Sequence, residues 1–170
     1  MSLIHLVTGG IGRGKSHRLR QIYERLGRGD GFVNWRVFSG GQTAGQDLVR
    51  LPTGESRPFT RREGFIPDGW DERCRYEHYS FSGNGIRFAE DIILEAVRNN
   101  RFPLFIDEIG PLELRGEGLA ASFLRACRAG QDLYVAVRAA CLPEVVNVFN
   151  LVHYEIIRVD GGGLGNGKDE

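Results

Sequence analysis

The chain has 170 residues, 41% of them hydrophobic and 26% charged, and its 22 basic residues are balanced by 22 acidic ones. This is the make-up of one ordinary globular domain, and the zero net charge argues against a general nucleic-acid binder, which carries a basic excess. No apolar run approaches the roughly 20 residues of a membrane helix, and the N-terminus lacks a charged leader region and cleavage site, so the expected setting is cytoplasmic with no membrane partner.

Residues 3–7 form a short apolar run of buried-strand type. Leu19, Ile22, Tyr23 and Leu26 then recur at helical spacing from about Lys15 onward, and Gly27 and Gly29 stop that helix. Residues 31–38 read as a second strand, with Val33, Trp35 and Val37 alternating against Asn34 and Arg36. Between 39 and 75 the pattern is hairpin-like, with turn residues at Ser39-Gly40-Gly41 and Pro52-Thr53-Gly54 and irregular chain after Gly64. Residues 76–81 alternate again as one strand.

Asn84 is the expected N-cap of a helix running through Arg98, with Phe88, Ile92, Ile93, Ala96 and Val97 on its apolar face. Residues 102–106 form a buried strand ending in Asp107-Glu108. A helix over about 119–129 follows, then a strand over 133–137, a helix opened by Pro143, and a last strand over 154–159. Strands alternating with helices imply an α/β fold with a mostly parallel sheet and helices on both faces. Residues 39–75 read as an antiparallel hairpin addition on one edge. The domain is expected over 1–160, with 161–170, rich in glycine, as a flexible tail. Cys74, Cys127 and Cys141 form no CxxC pair and read as reduced, packed thiols.

The strongest chemical signal is Gly9-Gly10-Ile11-Gly12-Arg13-Gly14-Lys15-Ser16, which satisfies GxxxxGK[ST] between a strand and a helix. In such a P-loop the backbone N–H groups cradle phosphate oxygens, and the helix start, through His17, adds its partial positive charge. Lys15 supplies a point charge at the β and γ phosphates, and Ser16 a hydroxyl ligand for Mg2+. Leu104-Phe105-Ile106-Asp107-Glu108 has the Walker B pattern, an apolar strand ending in acid. Asp107 is the candidate metal ligand, largely through water. Glu108 follows it and could orient or deprotonate a water at the γ-phosphate, or stand as a solvated loop charge.

Arg138 ends the strand over 133–137. It is either a finger supplied in cis to the γ-phosphate or a solvated arginine. Arg61-Arg62 could close over phosphates from the hairpin region or lie on the surface. His5, His17, His78 and His153 lack metal-ligand spacing. The expected ligand is ATP, GTP or another nucleoside triphosphate with Mg2+. No Asn-Lys-x-Asp motif marks guanine, so weak base discrimination follows.

Two strings, 8–16 and Ile106-Asp107-Glu108-Ile109-Gly110-Pro111-Leu112-Glu113-Leu114, together resemble the cancer-related nucleoside-triphosphatase family of small P-loop proteins. The loop Arg115-Gly116-Glu117-Gly118 is similar to a bacterial branch of it. The resemblance implies a RecA-like sheet, in which another strand separates the P-loop strand from the Asp-Glu strand. It also implies slow Mg2+-dependent hydrolysis of several triphosphates, with Lys15, Ser16, Asp107 and Glu108 in the matching positions. Read from the residues alone, a small-molecule or nucleotide kinase and a nucleotide-gated protein- or RNA-binding module stay open. No protein partner is marked.

Overall fold

The computed structural model describes residues 2–159 except Ile11 and Arg13; the expected tail over 161–170 lies outside the described residues. The first strand, β1 (Ile4–Gly9), feeds helix α1 (Lys15–Leu26), which Gly27 closes in the left-handed conformation. β2 (Asp30–Ser39) then opens a run of antiparallel strands: β3 (Gln42–Arg50), β4 (Ser56–Arg62), β5 (Glu72–Tyr76) and β6 (Tyr79–Ser82). Next come α2 (Gly83–Arg98), β7 (Leu104–Ile109), the one-turn α3 (Pro111–Leu114) and α4 (Ala120–Arg128). The chain ends with β8 (Leu133–Arg138), α5 (Leu142–Val148) and β9 (Tyr154–Arg158).

Among the described residues nine strands join one sheet in the order β5-β6-β4-β3-β2-β7-β8-β1-β9. The pairings β2–β7, β7–β8, β8–β1 and β1–β9 are parallel, and the rest are antiparallel. β8 therefore separates the P-loop strand from the Asp-Glu strand, as the family resemblance implied. The hairpin addition sits on the β2 edge. It runs to Ser82, beyond the expected limit at 75, because the alternating stretch 76–81 is not one strand: the chain turns at Glu77, with φ 50°, and β5 and β6 pair with each other.

Each sheet face buries its own apolar set. Val7, Leu19, Val33, Phe105 and Ala136 pack under α1. Leu6, Phe32, Leu48, Ile92, Ile106 and Phe123 belong to the larger cluster under α2, α4 and α5. Ile86 and Ala89 are buried on α2, whereas Phe88 and Val97 are only half-buried. The N-cap of α2 is Ser82 and not Asn84: the Ser82 hydroxyl accepts from the Gly85 amide at 3.1 Å. Among the described residues no helix is long and apolar enough to cross a membrane.

One buried ion pair ties the antiparallel strands to the parallel core. Asp30, fully buried at the start of β2, accepts from Arg50 Nε at 3.0 Å and Nη2 at 2.6 Å, and from the Gly31 amide at 2.8 Å. Arg50 also meets Glu95 of α2 at 3.0 Å. Gly31, at φ 135°, is needed beside it, because a Cβ there would stand 2.1 Å from the Phe105 carbonyl oxygen. Two-point geometry and the extra amide offset the desolvation of Asp30; without Arg50 only the exposed Arg101, 3.6 Å away, would face the buried carboxylate. Arg50→Ala is therefore expected to destabilise the fold by about 3–5 kcal/mol, measured by urea unfolding. A loss below about 1 kcal/mol, the worth of a surface pair, would show that water reaches Asp30.

Candidate active site

Parallel strands bring their carboxyl ends to one edge, and the expected site residues gather there. In register, Gly9 of β1 lies beside Arg138 of β8, and Asp107 of β7 lies beside Ala136. After Asp107 the ladder slips by one residue, so that Ile109 pairs with Val137 and Glu108 is left outside the pairing. A bulge of this kind re-aims a side chain at the rim of a sheet. Glu108 meets Arg138, whose Nε donates to Glu108 Oε1 at 2.9 Å; their side chains are 25% and 35% exposed. Arg138 is thus a half-buried partner of Glu108.

The loop between Gly9 and Ser16 turns through Gly12 and Gly14, at φ 68° and 85°, a region side chains disfavour. Ile11 and Arg13, expected to line the phosphate cradle, lie outside the described residues. Lys15 is buried, and its Nζ donates to the carbonyls of Gly10 at 3.0 Å and Gly9 at 3.4 Å. His17 is exposed on the first turn of α1 and faces the cavity described below.

Asp107 is buried at the end of β7. Its Oδ2 accepts from the Asn34 amide of β2 at 2.9 Å, and the Ser16 side chain lies beside its carboxylate. Burial pushes its pKa up to about 7, against the pull of the Ser16 and Asn34 donors and of Lys15; the neighbouring Glu108 adds to the rise. The Ser16 hydroxyl and the Asp107 carboxylate are a hard-oxygen donor pair, which suits Mg2+. The buried Asn34 Oδ1 nearby has no hydrogen-bond partner among the described residues. The donor set therefore fits a hydrated magnesium ion.

A cavity of about 780 Å³ opens from the P-loop toward β2, β3, β4 and β6. It touches Lys15, Ser16, Glu108 and Arg138 at one end. Arg36 of β2 overhangs the loop: a Cβ on Gly12 would stand 2.7 Å from its guanidinium. Arg36 belongs to no motif and is brought to the loop only by the sheet order, so the sequence alone did not mark it. Glu113 is a second such residue. Glu113 is buried, its Oε2 accepts from the Gly110 amide at 3.0 Å, and its Oε1 accepts from the Leu119 amide at 3.3 Å. Burial raises its pKa to about 7. Glu113 thus fixes the chain that leaves Glu108, and glycine is required at 118 because a Cβ there would stand 2.6 Å from Glu113 Oε1. Of the Arg61-Arg62 pair, Arg61 turns to Asp47 and Trp70, and Arg62 lines the cavity.

The raised Asp107 pKa gives a pH dependence with a definite sign. The unfolded carboxyl titrates near 3.9, and the folded one near 7. Between those values the folded state binds more protons, so this group's stabilising contribution is full below about pH 4 and is lost as pH rises toward 7. Asp107→Asn should flatten that part of the stability–pH curve, measured by urea unfolding from pH 4 to 8 in the absence of metal and nucleotide. A curve of unchanged slope would place the titration elsewhere.

The sequence model of the NTPase family matches residues 5–161. THEP1 from the hyperthermophile Aquifex aeolicus has a similar crystal structure, with a TM-score of 0.68 at 21% identity over 93% of this chain and 90% of that one. The solution structure of a human cancer-related nucleoside triphosphatase is similar with a TM-score of 0.62 at 22% identity, over 93% and 88% of the two chains. No curated protein sequence matches. At those identities the two structures speak for the fold, whereas the family match spans nearly the whole described chain. This chain belongs to the NTPase family of small P-loop proteins and is a nucleoside triphosphatase.

Proposed function

We propose that the protein is a magnesium-dependent hydrolase of broad base specificity, converting a nucleoside triphosphate and water to the diphosphate and phosphate. The observation that carries this reading is the Glu108–Arg138 contact of 2.9 Å at the strand edge, beside Lys15 and the Ser16–Asp107 pair. One oxygen of Glu108 is engaged by Arg138. The other has no hydrogen-bond partner among the described residues and is available to a water molecule.

Each residue has a part that follows from its placement. The amides of the loop from Gly9 to Ser16 hold the phosphates, and this cradle reads phosphate and not base, which supports broad specificity. Lys15 Nζ exchanges its neutral carbonyl acceptors for charged phosphate oxygens, which form stronger hydrogen bonds. Ser16 and Asp107 would hold Mg2+, which when bound neutralises charge on the β and γ oxygens. Glu108 accepts the proton of the attacking water as its oxygen approaches the γ-phosphorus. Arg138 orients Glu108 through Nε, and its terminal nitrogens are left to meet charge that develops on the γ-phosphate.

Three variants separate these parts. Lys15→Ala should abolish tight binding of a non-hydrolysable triphosphate in calorimetry; unchanged affinity would remove the loop from the site. Glu108→Gln keeps the size and removes the base. Single-turnover phosphate release should fall by about 10² to 10⁴ while triphosphate affinity survives, and release at the wild-type rate would mean that water is activated elsewhere. Arg138→Ala should lower kcat more than it weakens ground-state binding; wild-type kcat would leave the arginine without a catalytic part.

A further inference from the structure

The cavity is longer than the phosphate site needs. Lys15, Ser16 and Glu108 mark its γ-phosphate end. A triphosphate with its γ-phosphate beside Glu108 of β7 and its other phosphates in the loop that leaves β1 would carry its nucleoside onward toward β9, where Val159 stands against Gly14. The cavity continues the other way, past the γ-phosphate and over the antiparallel strands.

Its floor is one cross-strand row. Arg36 pairs with Gln46, Gln46 with Thr60, and Thr60 with Phe81, all on the sheet face that α2 covers further down. With neighbouring strands about 4.8 Å apart, Thr60 lies roughly 10 Å and Phe81 roughly 14 Å from Arg36. The row runs from a cation over the P-loop, through an amide and a hydroxyl, to an aromatic end that Tyr76 and Tyr79 extend.

Thr60 is the telling residue. It is only 3% exposed, it lines the cavity, and its Oγ1 has no hydrogen-bond partner among the described residues. A buried hydroxyl without a partner is costly. Beside it the Gln46 side chain offers both donors and an acceptor. An amide and a hydroxyl next to aromatic rings match the hydrogen-bonding edge and the flat face of a nucleobase.

The geometry points to a second substrate site in which a nucleoside lies along this row, its base on Gln46, Thr60 and Phe81 and its sugar hydroxyl toward the γ-phosphate. The protein would then transfer the phosphoryl group to that hydroxyl as well as to water. The hydroxyl oxygen bonds to the γ-phosphorus while the bond from that phosphorus to the β–γ bridging oxygen breaks. The electron pair leaves with the nucleoside diphosphate, and the hydroxyl proton passes to Glu108. This assignment rests on the triphosphate site proposed above.

The test incubates the full chain with ATP and Mg2+, alone and with adenosine, guanosine, cytidine, uridine or thymidine. Released phosphate and phosphorylated nucleoside are followed by 31P NMR and mass spectrometry. The expected result is a nucleoside monophosphate formed at the expense of free phosphate for at least one nucleoside. Thr60→Val and Gln46→Ala should each lower that transfer at least tenfold and leave acceptor-free phosphate release within twofold. Gln46, half-buried, serves where Thr60→Val lowers the melting temperature. Phosphate release with no nucleoside monophosphate would overturn the second site alone and leave the hydrolase standing. Nucleoside binding without transfer, or transfer unaffected by both substitutions, would likewise overturn it. Neither phosphate nor nucleoside monophosphate would overturn both readings.

Discussion

The arrangement depends on one buried carboxylate. Asp107 sits at the end of β7 with almost no access to water, and its charge is tolerated only through the donors aimed at it. Two other elements surround it: β2, whose Asn34 amide donates to it at 2.9 Å, and the start of α1, whose Ser16 side chain lies beside it. The carboxylate therefore locks three segments into one geometry. The same low dielectric that lifts its pKa toward 7 makes a nearby cation more favourable than it would be in water.

The antiparallel strands follow from the same frame. β2 pairs with β7 only at Asp30 and Gly31, then its Asn34 amide turns to Asp107 and the strand runs on beyond the parallel core. The strands that follow are thereby raised beside the P-loop, and they wall the cavity that the parallel sheet alone would leave open. The Asp30–Arg50 pair holds the other end of that wall to α2 through Glu95. A shift of β2 would reach the phosphate loop directly, since Arg36 overhangs Gly12.

What was legible in the sequence divides along physical lines. The P-loop and the apolar strand ending in Asp107-Glu108 are local patterns whose spacing fixes their chemistry, and both fall on the expected elements. The α/β alternation and the antiparallel addition on one edge were likewise readable from periodicity. The strand order could not come from spacing and came only with the family resemblance. The turn at Glu77 was hidden because alternating polarity looks the same in one long strand as in two short paired ones. Arg36, Gln46 and Thr60 share a row only after three strands pair, so no local signal could join them. The Glu113 cap was written in the sequence as glutamate three residues after the Gly110 N-cap, but a one-turn helix is too short to show periodicity.

The central claim is that this edge hydrolyses the triphosphate by reading its phosphates with a bound magnesium ion. Phosphate release from ATP, GTP, CTP and UTP, each with Mg2+ and each repeated with EDTA, measures that claim without any acceptor present. The account predicts release from all four within about a hundredfold in kcat/KM, a spread of nearly 3 kcal/mol, and its loss with EDTA. Release confined to one base, or undiminished by EDTA, would contradict it.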